Sequence, residues 1–229
     1  MEGFQKIYPF TTETISGYIT KMDIKDKIVL TLGSSCDQAL NSLLLGAKDI
    51  TVFDINEKVK YFYNLKRKLI LSTSREKLIN NIVNLKQFSY FEDIFSYQDL
   101  MKMNLYLQND ENYYKLQDIL KEKNIDFKVG NIFNISEYLE KNKKYDRVIL
   151  SNVLDYIPTN LKSEEVVLKI YNDLLSYLND EALIQLYYLY GSVNPKSFAK
   201  VINKFLEQDI LLEKAPCDTN DSVIFVKKK

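Results

Sequence analysis

Asp54 closes the apolar run Asp49-Ile50-Thr51-Val52-Phe53-Asp54 roughly 20 residues after Gly33, which stops the earlier run 27–32. A carboxylate so placed can accept hydrogen bonds from both hydroxyls of a ribose, and a glycine lets the backbone bend sharply and approach a ligand closely. Asp54-Ile55-Asn56-Glu57 also suits the cap of a following helix, so two readings of this acid stand side by side.

The turn itself narrows the choice of nucleotide. A dinucleotide site wants Gly-x-Gly-x-x-Gly, because a pyrophosphate must come close to the backbone at a helix N-terminus. In Gly33-Ser34-Ser35-Cys36-Asp37-Gln38 the second and third glycines are replaced by Ser35 and Gln38. S-adenosylmethionine carries no phosphate, so a one-glycine turn with a retained acid fits it better than NAD. Ser34, Ser35, Asp54, Ile55 and Asn56 are therefore candidate cofactor-binding residues together with Gly33.

Two further loops belong to the same constellation. Ser151-Asn152-Val153-Leu154-Asp155-Tyr156-Ile157-Pro158 follows an apolar run and should lie between the cofactor's sulfonium and an acceptor. Asn152, Asp155 and Tyr156 can supply hydrogen bonds or a base, with Ser151 and Asn152 also reaching the cofactor. The plain alternative is a helix-start loop punctuated by Pro158. Gly130-Asn131-Ile132-Phe133 would lie beside an adenine, with Asn131 bonding the exocyclic amine and Ile132 packing on the ring; Asn131 is equally at home as a turn residue. The chain has no histidine, so any proton transfer falls to Asp, Glu, Tyr, Lys, Cys or water. With only Cys36 and Cys217 available, a zinc site is not expected, and no metal is assigned.

The elements that must position these residues read as alternating strands and helices. Residues 27–33 are a buried strand; Asp37 to Leu45 is a helix with Ala39, Leu40, Leu43 and Leu44 on one face, ended by Gly46 as a left-handed cap. Residues 49–54 form the next strand, completing a βαβ unit that should cross over right-handed. The span from Glu57 to about Asn124 is mostly helical, with helices over 58–71, 75–85 and 113–123. It is too long for an ordinary connection, so residues 58–124 are expected to form a helical insertion. Strands return at 127–129, 147–151, 182–187, 209–213 and 222–226, with helices over 164–178 and 196–207. The fold class is thus α/β, a doubly wound, mostly parallel seven-stranded sheet, in one domain over residues 1–229. Aromatics of the insertion (Tyr61, Tyr63, Phe88, Tyr90, Phe91, Phe95 and Tyr97) could line an acceptor pocket, although such spacings more often pack helices together. One of Tyr187, Tyr188 and Tyr190 is expected to reach the cleft.

Tyr8-Pro9-Phe10-Thr11-Thr12-Glu13-Thr14, Leu30-Thr31-Leu32-Gly33-Ser34-Ser35, Phe53-Asp54-Ile55-Asn56 and Ser151-Asn152-Val153-Leu154-Asp155-Tyr156 together resemble a methyltransferase-like family. That family is similar to the betaine-lipid aminocarboxypropyltransferases within the class I S-adenosylmethionine-dependent methyltransferase superfamily. The likeness covers most of the first 70 residues and the loop at 151–157. It implies that Tyr8, Phe10 and Thr11 close over S-adenosylmethionine, with Gly33, Asp54 and Asn131 lining it. It also implies transfer of a methyl or a 3-amino-3-carboxypropyl group; the lipid acceptor is not carried over. A cofactor-binding protein without turnover, and an NAD-dependent oxidoreductase, are the rival readings.

Basic and acidic residues balance at 31 each, so no whole-protein field favours nucleic acid or an anionic membrane. A small-molecule acceptor is expected and a nucleic-acid partner is not. The N-terminal residues have no basic stretch followed by an apolar run, and no segment has the apolar length of a membrane span. A cytoplasmic protein with reduced thiols is the expectation.

Overall fold

The structure, a computed structural model, describes residues 7–84, 96–153, 164–191, 210–214 and 221–228. A lead-in carries a short helix α1 (Ile15–Tyr18) and a 3₁₀ turn (Ile19–Met22). There follow β1 (Ile28–Leu32), α2 (Asp37–Leu44), β2 (Asp49–Asp54), α3 (Lys58–Ser72), α4 (Arg75–Val83), α5 (Tyr97–Met103), α6 (Leu105–Gln108) and α7 (Asp110–Glu122). Then come β3 (Asp126–Val129), a 3₁₀ segment (Ile132–Glu137), β4 (Tyr145–Ile149), α8 (Glu164–Leu175), β5 (Leu178–Leu189), β6 (Ile210–Lys214) and β7 (Ser222–Lys227).

The strands form one seven-stranded sheet in the order β3-β2-β1-β4-β5-β7-β6. Pairings from β3 through β5 are parallel, and β7 runs antiparallel to both of its neighbours. Strand order therefore reverses between β1 and β4, and the ends of those strands are where an open α/β sheet offers a crevice. The pleat sends alternate residues to opposite faces. Val29, Val52, Ile149 and Phe225 join a core with α1 to α4 and the later helices, whereas Leu30, Phe53, Val148 and Val226 join a second core with the 3₁₀ segment and α8.

Helix α2 is buried over its whole length. Its apolar face meets the sheet, as the spacing of Ala39, Leu40, Leu43 and Leu44 predicts. Its polar face is covered too: Asn41 Nδ2 donates to Asn104 Oδ1 at 2.9 Å, and Asn41 Oδ1 accepts from the Leu105 N–H at 2.8 Å. The α5–α7 segment thus docks on α2 through an amide pair as well as through Tyr106, Leu107, Tyr113 and Leu116. Gly46 ends the helix at φ +87°, with Gly46 N donating to Leu43 O and Ala47 N to Ser42 O, the paired bonds of a left-handed C-terminal cap.

Several boundaries differ from the sequence expectation for local reasons. The helix expected over 164–178 stops at Leu175, because Leu178 already pairs with Tyr145 in the sheet. The register then shifts between Tyr145 and Arg147, and Glu181 takes up φ +64°, so a polar Asn-Asp-Glu sequence interrupts a strand that was expected only from Ala182. Helix α5 was not anticipated, although Ser96 and Asp99 form a complete capping box at its start. Among the described residues five helices stand between β2 and β3, where one would suffice to connect them. Expected helix 196–207 lies outside the described residues.

Candidate functional site at the strand switch point

The turn after β1 is built by close approach. A Cβ on Gly33 would lie 2.7 Å from Val59 Cγ1 and 2.8 Å from Asp54 Oδ2, so only glycine lets β1 end against the Asp54 side chain. Asp54 Oδ2 accepts from the Ser34 N–H and Oδ1 from the Asn56 N–H, each at 2.8 Å. The capping reading of this acid is thus realised, since Asp54 holds the chain entering α3, and its carboxylate keeps acceptor capacity beyond these two bonds. Burial raises its pKa, and the N–H groups of Asn56, Ser34 and Ile55 oppose that rise. Ile55 is exposed beside it.

Backbone strain gathers at the same place. Ser34 (φ +43°), Cys36 (φ +62°) and Ser151 (φ +57°) occupy left-handed conformations that these residue types adopt at a cost. Two of them shape the β1 turn and the third follows β4. Ser151 is fixed by Gln185 of β5: its N–H donates to Gln185 Oε1 at 2.7 Å, and its carbonyl accepts from Gln185 Nε2 at 3.3 Å and from the Tyr188 N–H at 2.9 Å.

The lead-in segment crosses the ends of these strands. Thr11 N–H donates to Asp37 Oδ2 at 2.6 Å; Thr12 Oγ1 and Tyr190 Oη share a hydrogen bond of 2.7 Å; Thr14 N–H donates to Tyr188 Oη at 3.1 Å. Beneath it lies an ion pair between Lys66 of α3 and Asp37 of α2, both fully buried. The Lys66 ammonium also donates to Pro9 O at 3.0 Å and Ser35 O at 3.1 Å, and stands 4.4 Å from the centroid of the Phe10 ring. Asp37 accepts in addition from Tyr106 Oη at 2.7 Å and Ser35 Oγ at 3.0 Å. The pair is saturated, and it joins the lead-in, the β1 turn, α3 and α6.

Phe10 and Thr11 are accordingly used to hold the lead-in down: the Phe10 ring is wholly buried against Lys66, and the Thr11 N–H is committed to Asp37. Tyr8 is half-buried. Tyr188 and Tyr190 bind the lead-in, and Tyr187 is buried on the other face of the sheet. Asn131 caps the 3₁₀ segment, its Oδ1 accepting from the Phe133 N–H at 3.1 Å, so its turn role is realised. Ile132 is buried behind it, and Tyr138 lies so close over Gly130 that a Cβ there would strike the ring. Asn152 is half-buried at the end of β4. Asp155, Tyr156, Phe88, Tyr90, Phe91 and Phe95 lie outside the described residues, as does the side chain of Tyr97. Tyr63 packs on Phe127 with ring centroids 5.1 Å apart, a core contact, and Tyr61 points to solvent. Cys36 is buried, which pushes its thiol pKa up. Among the described residues no group of acids and cysteines is placed to hold a metal, and no helix is long and apolar enough to cross a membrane.

Sequence reasoning missed Glu13. It is 1% exposed, yet its carboxylate sits at the switch point. Oε1 accepts from Ser151 Oγ, and Oε2 accepts from Tyr18 Oη at 3.1 Å and Gln38 Nε2 at 3.4 Å. Burial pushes its pKa up to about 7, against the hydrogen bonds from Ser151, Tyr18, Gln38 and the Asn152 backbone that favour the anion. A raised carboxyl pKa means that the native state holds a proton which the unfolded chain has released, so stability falls as pH rises from the ordinary value of 4.5 through 7. Glu13→Gln removes that cost. We expect the variant to match the wild type near pH 4.5 and to exceed it by up to about 3 kcal/mol at pH 8, as urea unfolding at both pH values would show. A difference independent of pH would contradict this.

No family model matches the sequence, and a search of curated proteins finds no match. Solved structures do match in fold. A protein from Streptococcus mutans assigned as a SAM-dependent methyltransferase aligns with a TM-score of 0.51 at 15% identity, over 93% of this chain and 46% of the other. The magnesium protoporphyrin IX methyltransferase of Synechocystis PCC 6803 with bound SAM aligns with a TM-score of 0.50 at 13% identity, over 94% of this chain and 76% of the other. The same enzyme with bound SAH gives a TM-score of 0.50 at 12% identity, over 94% and 80%. This chain therefore spans about half the length of the Streptococcus protein. It has the Rossmann-like fold of the class I methyltransferases, as strand order and layers also say.

Proposed function

We propose that this chain is an S-adenosylmethionine-dependent transferase that moves a methyl or 3-amino-3-carboxypropyl group to a small-molecule acceptor. The observation that carries the reading is the Asp54 carboxylate, held against the Gly33 turn at the switch point with acceptor capacity to spare. Asp54 would take the ribose hydroxyls, and the Gly33-Ser34-Ser35 turn would lie along the nucleoside. Ile55 offers apolar surface at one side, and Ile132 and Asn131 stand at the end of β3. The fold's solved relatives include a methyltransferase with bound SAM and with bound SAH, which supports the same cofactor here.

When bound, S-adenosylmethionine supplies a sulfonium that activates both its methyl carbon and its γ-carbon. The protein's part is positional. The strained Ser34 and Ser151 backbones, locked by Asp54 and Gln185, set the walls of the crevice before any ligand arrives. The lead-in, pinned by Lys66, Tyr188 and Tyr190, covers it from water. Asn152 would orient the acceptor, and we assign Asp155 and Tyr156, which follow it in the sequence, to the acceptor side. The balanced charge of the chain supports a small acceptor.

Product analysis tests the reading. Incubation with S-adenosylmethionine and an acceptor library, with RNA as a separate arm, should yield S-adenosylhomocysteine for methyl transfer or methylthioadenosine for aminocarboxypropyl transfer. Binding of the cofactor with neither product in any arm would leave a binding protein and refute the transferase.

A further inference from the structure

Most buried acids near the switch point have their charge or their oxygens answered. Asp37 faces Lys66, and Asp54 faces two backbone N–H groups. Asp221 accepts from Tyr188 Oη at 2.7 Å and the Gly191 N–H at 3.0 Å. Glu13 is different. Its partners are neutral donors, and among the described residues no lysine or arginine forms an ion pair with it. Beside it Gln38 is 1% exposed, and its Oε1 is buried without a hydrogen-bond partner among the described residues. Gln38 Nε2 makes only long contacts, 3.4 Å to Glu13 and 3.5 Å to Ser151 Oγ. Two acceptors, one of them ionisable, thus lie side by side where β1 and β4 diverge, without a cation among the described residues.

A group that satisfies both must donate several hydrogen bonds and carry positive charge, which describes a primary ammonium. The half-buried residues Leu32, Ser34, Asn152 and Val153 stand at the ends of the same two strands. We propose that Glu13 and Gln38 form the seat for the α-ammonium group of the adenosyl amino acid bound at this switch point. The ammonium takes the place of Gln38 Nε2, whose contacts are the weakest around Glu13, and leaves the bonds from Ser151 and Tyr18 intact. This inference rests on the cofactor reading above and adds a recognition element to it.

The surrounding groups leave Glu13 as the group that answers the ligand's charge. Tyr18 on α1 and Tyr188 on β5 are both held well above the usual phenol range by burial, so they stay neutral. Asp37 on α2 keeps Lys66, and Asp221 ahead of β7 stays on Tyr188. A cation placed on Glu13 favours its anionic form, so binding must expel the proton that Glu13 otherwise holds up to about pH 7.

The test is calorimetry of the whole chain in buffers of different ionisation enthalpy, with S-adenosylhomocysteine and its deamino analogue as probes. At pH 6.5 binding of S-adenosylhomocysteine should release about three-quarters of a proton. The deamino analogue should bind at least about tenfold more weakly and release none. Glu13→Gln should fold, bind both probes with similar affinity and release no proton. Equal affinity of the wild type for the two probes, with no proton released, would overturn the ammonium seat and leave the Asp54 site standing. Failure of the folded wild type to bind either probe would overturn the cofactor reading, and this inference with it.

Discussion

Lys66→Met should lower the stability of the fold by about 3–5 kcal/mol, which for a chain of this size means a fall in Tm on the order of 10 °C. The ammonium it removes is one half of a fully buried ion pair and the donor to Pro9 O and Ser35 O. Asp37 would be left as a buried charge with neutral donors only, and two backbone carbonyls would lose their partner. Methionine fills the stem's volume, so the change isolates the charge and its hydrogen bonds from simple loss of packing. The lead-in should be the first part released, since Pro9 and the Phe10 ring both rest on Lys66. Thermal unfolding followed by circular dichroism gives the magnitude, and amide exchange of Thr11 and Thr14, whose N–H groups bond Asp37 and Tyr188, locates it. A loss below about 1 kcal/mol would show that the pair contributes no more than an exposed one.

Asp54→Asn should weaken S-adenosylhomocysteine binding by about a hundredfold or more. Two hydrogen bonds from ribose hydroxyls to a carboxylate contribute roughly 1.5–3 kcal/mol each, and 1.4 kcal/mol is a factor of ten in affinity. The amide has a second effect. Both oxygens of Asp54 accept from backbone N–H groups, and an amide can keep only one of those bonds, so either the Ser34 turn or the Asn56 entrance to α3 loses its anchor. Affinity and kcat/KM should fall together while kcat holds, because the ribose contact is equal in ground and transition states. An unchanged affinity in a folded Asp54→Asn protein would mean that this acid serves only as a cap.

The order of elements was legible because each strand of the sheet carries its own signal. Runs such as Ile28–Leu32 and Asp49–Asp54 are short, apolar and stopped by turn residues, and Gly46 marks its helix end through a positive φ. The position of Asp54 against the Gly33 turn was legible because the two residues close neighbouring strands at a fixed separation. Polar residues whose partners are distant in sequence were not. Lys66 on an amphipathic helix resembles any solvated lysine, and only the fold brings Asp37, Pro9 and Ser35 around it. Glu13 looks like a charge in a polar lead-in until Ser151, 138 residues away, closes on it. Gln185 alternates with apolar neighbours on β5 as a solvent-facing residue would, yet it is buried and shapes the Ser151 backbone. Helix α2 shows the same limit: its apolar face was readable, whereas burial of its polar face required the amide pair with Asn104.

The central claim is that an adenosyl ligand binds where the Gly33 turn meets Asp54. Calorimetric titration of the wild-type chain with S-adenosylhomocysteine, against NAD as control, tests it most directly. The account predicts saturable binding of one equivalent of S-adenosylhomocysteine, no heat with NAD, and loss of the signal in Asp54→Asn. A folded protein that binds NAD instead, or that binds no adenosyl compound, would contradict it.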